Sequence, residues 1–391
     1  MTSTTIAAPP AWDAPLAAYE AQAEQLLAGH AAGVPQALQL LHETLPRFLD
    51  DTVTWLPRPL SPEQIRDTAI TLDEARLAVA RRYSFRDWES LATLTAEVAR
   101  ETSPVRRFEH AVHAVITGDA ATLQELLRAH PDLVRHRSTR VTCHDPPVHG
   151  AMLLHYLGAN GVEGYRQRSP PNAVDIARLV LQAGAEADAL AGMYGGESPT
   201  LSMLVSSTPP AVAGVQVPLV HVLLDHGADV EGVGHGAWRS PLLTALVFGF
   251  RDAAAALVAR GALVDDLVKA AGLGRAEQMA AMLPAAASDE RHRAFALAAI
   301  NGHLEAVRLL LVAGEDPNRL NPPGFHAHAT PLHQAALAGH LPLVQLLTAH
   351  GARTDISDTL WRGTALGWAE HGEQTAVADY LRGLEADGGT R

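Results

Sequence analysis

Cysteine is nearly missing from this chain. Cys143 is the only one in 391 residues, so no intrachain disulfide can form, and a reducing, cytosolic setting is expected. Lysine- or arginine-rich blocks are absent and the net charge is −13. Binding nucleic acid needs a basic stripe to meet phosphates, so a nucleic-acid partner is not expected. No apolar run approaches the roughly 20 residues of a membrane span, and no membrane association is expected. The first residues, MTSTTIAAPPAW, lack the basic start and apolar run of a secretion signal. P-loop, Rossmann, HExxH and GxSxG patterns are missing too, so no cofactor is expected.

What the chain does have is apolar and helical. Hydrophobic residues make up 47%, charged residues 19% and aromatics only 5%, a composition that suits a folded, helix-rich protein. Residues 1–12 are expected to be disordered. Leu16, Tyr19, Leu26 and Leu27 then recur at helical spacing, followed by Leu38, Leu41 and Leu45. Three prolines between Trp55 and Pro62 interrupt that pattern. Thr71 with Glu74 three positions on has the form of a capping box that starts the next helix. Residues 13–100 are expected to form a small helical region.

The most informative stretch is Thr330 to Gly363. It opens with Thr330, Pro331, Leu332 and His333, continues through Ala335 and Ala336 to Gly339, and adds a second apolar segment closed by Gly351. Proline suits the first helical turn, where its missing N–H costs nothing. Glycine suits the left-handed position that ends a helix. This T-P-L-H-x-A segment resembles the ankyrin repeat, a helix pair with a β-turn finger, of roughly 33 residues. The segment RRYSFRDWESL also resembles the lead-in found ahead of bacterial ankyrin arrays. The resemblance implies an all-α fold: an ankyrin-repeat α-solenoid of about eight repeats over residues 105–388, behind the helical N-terminal region. One repeat cannot bury its apolar faces alone, so copies must stack and the ends need covers. The spacing agrees: Gly227 and Gly261 stand about 34 positions apart.

Two insertions break the plain pattern, Gly164–Ala173 and Ser206–Gln216. Long loops in compact repeats are often functional. The fingers are long as well, and several carry histidine or tryptophan: His144 and His149, His235 and Trp238, His326 and His328, then Asp358 and Trp361. Register within the resemblance places certain side chains on a concave groove floor. These include Tyr156, Asn160, Ser206, Phe248, Lys269, Asn301, Gln334, Trp368 and His371. Aromatics mixed with amides and hydroxyls describe a pocket with apolar walls and a few polar fixtures.

The expected function is a binding module that holds a peptide, a protein segment or a small molecule in that groove. Tyr156, Trp238, Trp361 and Trp368 are the expected anchors. Asn160, Gln167, Asn172 and Gln334 would set orientation, with Tyr165, Tyr194, Ser206, Asn301, His326 and His328 completing the site. The alternative is a cofactor-free enzyme that runs acid–base chemistry through His326 or His328, with Tyr156, Tyr165, Tyr194 and Glu370. A zinc site on His326, His328 and His333 or His371 is weaker than a structural reading, in which such histidines bond backbone groups at helix ends. No metal is expected.

Overall fold

The computed structural model describes residues 9–158, 162–193, 196–236 and 239–388. The chain divides into two compact units, residues 1–229 with 233–236, and residues 230–232 with 237–391.

The first unit begins with five helices, Leu16–Ala31, Pro35–Thr44, Pro62–Arg66, Leu72–Arg82 and Trp88–Ala99. The Thr71 capping box is present: Thr71 Oγ1 accepts from the Glu74 backbone at 3.2 Å, and the Glu74 carboxylate accepts from the Thr71 backbone at 2.9 Å. Together the two bonds satisfy amides that the helix start would otherwise orphan. Tyr19, Leu26, Leu41, Phe48, Val79, Tyr83, Phe85 and Leu91 bury a core among these helices. Residues 1–8 lie outside the described residues. The expectation of a loose start does not extend to Trp12, whose ring stacks on His110 at 4.7 Å.

Three repeats follow in this unit. The first is the pair Pro104–Thr117 and Ala120–Ala129. In the second, the expected inner helix shrinks to a 3-10 turn, Leu153–Tyr156, ahead of the outer helix Ala173–Gln182. The third pairs Thr200–Leu204 with Gln216–Asp225. Its insertion folds into a short helix, Thr208–Val212. The Gln216 amide plugs that loop by donating to the carbonyls of Leu204 and Ser207 at 3.0 and 3.2 Å. One finger is an antiparallel hairpin in which Leu190 pairs with Pro199 and Met193 with Gly196.

The second unit holds five helix pairs. Their inner helices are Pro241–Val247, Leu267–Gly272, Ser288–Ile300, Pro331–Leu337 and Ala365–His371, and successive ones pack together. Alanines such as Ala270, Ala294, Ala298, Ala335 and Ala369 are fully buried where the inner helices approach. Small side chains permit that close approach, and Leu310, Val344, Leu347 and Leu381 fill the space under the outer helices. The finger of the fifth repeat is gone: the 3-10 turn Leu283–Ala285 leads almost directly into the next helix.

Histidines lock neighbouring repeats. His333 Nδ1 caps its own helix by accepting from the Thr330 backbone at 3.2 Å, while Nε2 meets the Gly363 carbonyl of the next finger at 3.2 Å. His303 Nε2 meets the Gly272 carbonyl one repeat back at 2.9 Å. Its ring occupies the space beside Gly274, where an added Cβ would stand 2.5 Å from Nδ1. The same relation joins His340 to Gly302, again at 2.5 Å. Glycine is required at both turns twice over, for the positive φ and for the ring above it. His226 and His350 reach back to the carbonyls of Val222 and Leu346 at 2.8 and 2.9 Å, at the ends of their helices.

No helix among the described residues is long and apolar enough to cross a membrane.

Candidate functional site

The residues singled out in the sequence separate into two environments. In the first unit, Tyr156 is 2% exposed and looks into protein rather than onto a groove. Its hydroxyl donates to Glu163 Oε1 at 2.7 Å, and His149 Nε2 meets the same oxygen at 2.9 Å. Two arginines complete a buried charge cluster. Arg140 donates to Glu109 at 2.9 Å, and Arg166 bonds Glu109 and stands 3.2 Å from Glu163. The Arg140 guanidinium lies over the Phe85 ring at 4.7 Å and the Tyr165 ring at 5.6 Å. Burial works to raise the pKa of Glu163, and Arg166 and Arg140 outweigh it, holding the carboxyl well below its ordinary range. The same balance of burial against Arg140 and Arg166 keeps Glu109 ionised. Burial also pushes the Tyr156 phenol well above its ordinary value. The first insertion therefore serves this cluster: its 3-10 turn, Gly164–Arg166, delivers Arg166 into it.

Other expected ligand groups in this unit are spent on backbone. Asn172 donates to the Gly118 carbonyl at 2.8 Å. Ser206 donates to the Met203 carbonyl at the end of the preceding helix at 2.9 Å. Gln167 is half-buried beside Arg166. Asn160, Tyr194 and Trp238 fall outside the described residues.

In the second unit, Asn301 is fully buried and donates to the Leu246 and Leu297 carbonyls, both at 2.9 Å. It pins two repeats together and faces no ligand. Glu370, the expected acid, is exposed and paired with Arg382 at 2.7 Å.

The remaining residues converge. His326, His328, Gln334, Leu337, Trp361, Trp368 and His371, with Gly363 and Gly367, line a cleft of about 490 Å³. Three elements supply them: the finger ahead of Thr330, the inner helix Pro331–Leu337, and the last finger with the inner helix Ala365–His371. Trp368 forms the floor at 9% exposure, and Trp361 forms a wall at 54%. Their ring centroids are 5.9 Å apart. His328 stands edge-on to Trp361 at 4.9 Å and tilted against Trp368 at 5.7 Å.

Asp358 shapes this cleft without lining it. One of its oxygens accepts from the Leu360 and Trp361 backbones at 2.8 and 2.6 Å. The other accepts from Gly363 at 2.8 Å and from the Trp368 indole at 3.0 Å. Burial opposes its charge, and the bonds from Trp368, Trp361, Gly363 and Leu360 outweigh that opposition and lower its pKa. Asp358 thereby fixes both tryptophans at once. The sequence offered its place in the finger, but no signal for this bonding.

His326 holds a left-handed backbone, φ 61°, a conformation that costs a non-glycine residue on the order of 1–3 kcal/mol. Its ring Nε2 meets the Val247 carbonyl at 3.0 Å and its face meets Phe248. These contacts hold the finger in place. His328 differs: neither ring nitrogen has a hydrogen-bond partner among the described residues. Burial, then the neighbouring His326, lowers its pKa and favours the neutral ring. Gln334 is 8% exposed, and its amide also makes no hydrogen bond among the described residues. Among the described residues no group of three or more His, Cys, Asp or Glu is placed to hold a metal ion.

Stacked helix pairs, with fingers that carry their side chains into a shared cleft, define an α-helical repeat protein. Comparison with known proteins names the repeat. The family model described as ankyrin repeats (3 copies) matches residues 295–390. Human cyclin-dependent kinase inhibitor 2A is 34% identical over 131 residues, which are 32% of this chain and 80% of that protein. Bovine cyclin-dependent kinase 4 inhibitor B is 32% identical over 126 residues, 31% of this chain and 93% of that protein. Mouse ankyrin repeat and SAM domain-containing protein 6 is 42% identical over 76 residues, 19% of this chain but only 8% of that protein. The chain belongs to the ankyrin-repeat family, and these matches support a protein-binding repeat module.

Proposed function

We propose that this chain binds a partner protein by seating an apolar side chain of the partner in the cleft between Trp361, Trp368 and Leu337. One observation carries the reading: Trp361 is a large apolar side chain half in solvent, its backbone N–H held by the buried Asp358 carboxylate, beside a His328 ring and a Gln334 amide that make no hydrogen bond among the described residues. A tryptophan kept exposed in a fixed position suits an interface anchor. The similarity to proteins named as cyclin-dependent kinase inhibitors is consistent with a protein as the partner. In this reading the N-terminal helices cover the open end of the first repeat, since an end repeat otherwise exposes one apolar side.

Selection of a random peptide library on the purified full chain tests it. Enriched peptides are expected to share a large apolar residue, and Trp361→Ala should weaken them about tenfold or more. Trp361→Ala binding the selected peptides as tightly as the unaltered chain would overturn the reading.

A cofactor-free enzyme is the second reading, favoured by the unengaged, neutral imidazole of His328. Its expected helpers are not at hand: Glu370 is paired with Arg382, and the Tyr156 hydroxyl is spent on Glu163. His328→Gln separates the two readings. Peptide affinity that survives this change within about threefold favours binding, whereas an enzyme would keep its ligand and lose turnover.

A further inference from the structure

The cleft is walled by aromatics, imidazoles, glycines, a leucine and an amide. No Asp, Glu, Lys or Arg is among the described residues that line it. The carboxylate behind it, Asp358, already accepts four hydrogen bonds. An ammonium or carboxylate entering the cleft would shed water and find no counter-charge, which is costly in an apolar site. Yet the cleft is not purely apolar. Gln334 is 8% exposed, lines the cleft, and makes no side-chain hydrogen bond among the described residues. Its amide reaches the cleft and is not sealed in the core, so a ligand that covers it must replace the water it meets there. Gln334 carries a donor and an acceptor on one plane. The group that answers both is another amide, which a peptide main chain presents at each residue.

Resting on the reading of the cleft as the partner-contacting surface, we propose that it selects an uncharged apolar residue whose own main-chain amide pairs with Gln334. The occupant is thus an extended partner segment, bound by one neutral side chain against Trp361, Trp368 and Leu337 and by one peptide group beside it. Charged side chains at that position are rejected because desolvation is not compensated. The free His328 imidazole supplies a further neutral donor or acceptor at the same mouth.

Four small probes test this on the full chain at pH 7.5, read from the indole N–H signals of Trp361 and Trp368 by NMR. N-acetylphenylalaninamide carries a neutral ring and peptide groups; 3-phenylpropionate carries an anion; phenethylammonium carries a cation; ethylbenzene carries the apolar part alone. The diamide is expected to bind about fivefold or more tighter than either ion, the worth of one hydrogen bond. Gln334→Leu should weaken the diamide about fivefold and leave ethylbenzene binding unchanged. Gln334→Glu, nearly the same shape, should turn the preference toward phenethylammonium, and it serves where the leucine variant does not fold. Ions that bind the unaltered chain as well as the diamide overturn the inference. So does diamide affinity that both variants leave unchanged. If ethylbenzene and the diamide both fail to bind, the partner-contacting cleft itself is wrong and this inference goes with it.

Discussion

The two units put similar side chains to opposite uses. Around Glu109, Arg140, Glu163 and Arg166 the first unit gathers acids, arginines, a histidine and tyrosines, all turned toward one another and shut away from water. Around Trp361 and Trp368 the second unit gathers aromatics, imidazoles and an amide at a surface opening, where the His328 ring and the Gln334 amide make no hydrogen bond among the described residues. The difference lies in what each group already touches. A polar side chain that has found its partner inside the fold is architecture, and one held in place without a partner has something left to offer a ligand. Residue type does not separate the cases: Tyr156 and Trp368 are both buried aromatics whose polar atom bonds a carboxylate.

The comparison can be broken most sharply at the charge cluster. Glu109→Ala leaves Arg140 and Arg166 buried with one carboxylate between them. Stability of the first unit should drop by about 3–5 kcal/mol, read as a lower urea midpoint, whereas a loss under about 1 kcal/mol would show that the cluster is dispensable. Acid should act next. His155, in the 3-10 turn of the second repeat, is fully buried with its Nδ1 accepting from the Met152 backbone at 3.1 Å, and burial lowers its pKa from 6.5 to about 4. The unfolded chain takes up this proton near 6.5 and the folded one only near 4, so stability falls as pH drops through that window and levels off below it. The expected loss from this residue is on the order of 3 kcal/mol. Denaturant melts between pH 7.5 and 4.5 that stay flat or rise on acidification would refute it. The third change is Asp358→Ala, which orphans three backbone N–H groups and the Trp368 indole. A cost of about 2 kcal/mol is expected, together with displaced Trp361 and Trp368 indole signals. Unchanged signals would mean that packing alone positions the tryptophans.

Much of the fold was legible because the repeat constrains residue type at many positions. Thr330, Pro331, His333 and Gly339 act within a few residues of one another, so their pattern survives in one dimension. The cleft was half legible. Gln334 and Trp368 were found because register within a repeat places side chains on a known face, and His326, His328 and Trp361 because they stand in fingers longer than the plain repeat's. Tyr156 and Asn301 occupied equivalent register yet proved to be interior. Tyr156 was drawn in by Glu163, and Asn301 by the Leu246 carbonyl 55 positions away. Glu109, Arg140 and Arg166 were missed because charged residues spread over 57 positions carry no local signal of pairing.

By itself, the order of amino acids determined that helix pairs form, where each turns, and that they must stack, because capping, helical spacing and glycine turns act over short distances. Tertiary structure alone decided which of the chain's polar groups are consumed internally and which stay available. That outcome depends on distances between residues remote in sequence, and a difference of a few ångströms separates a buried ion pair from an open cleft.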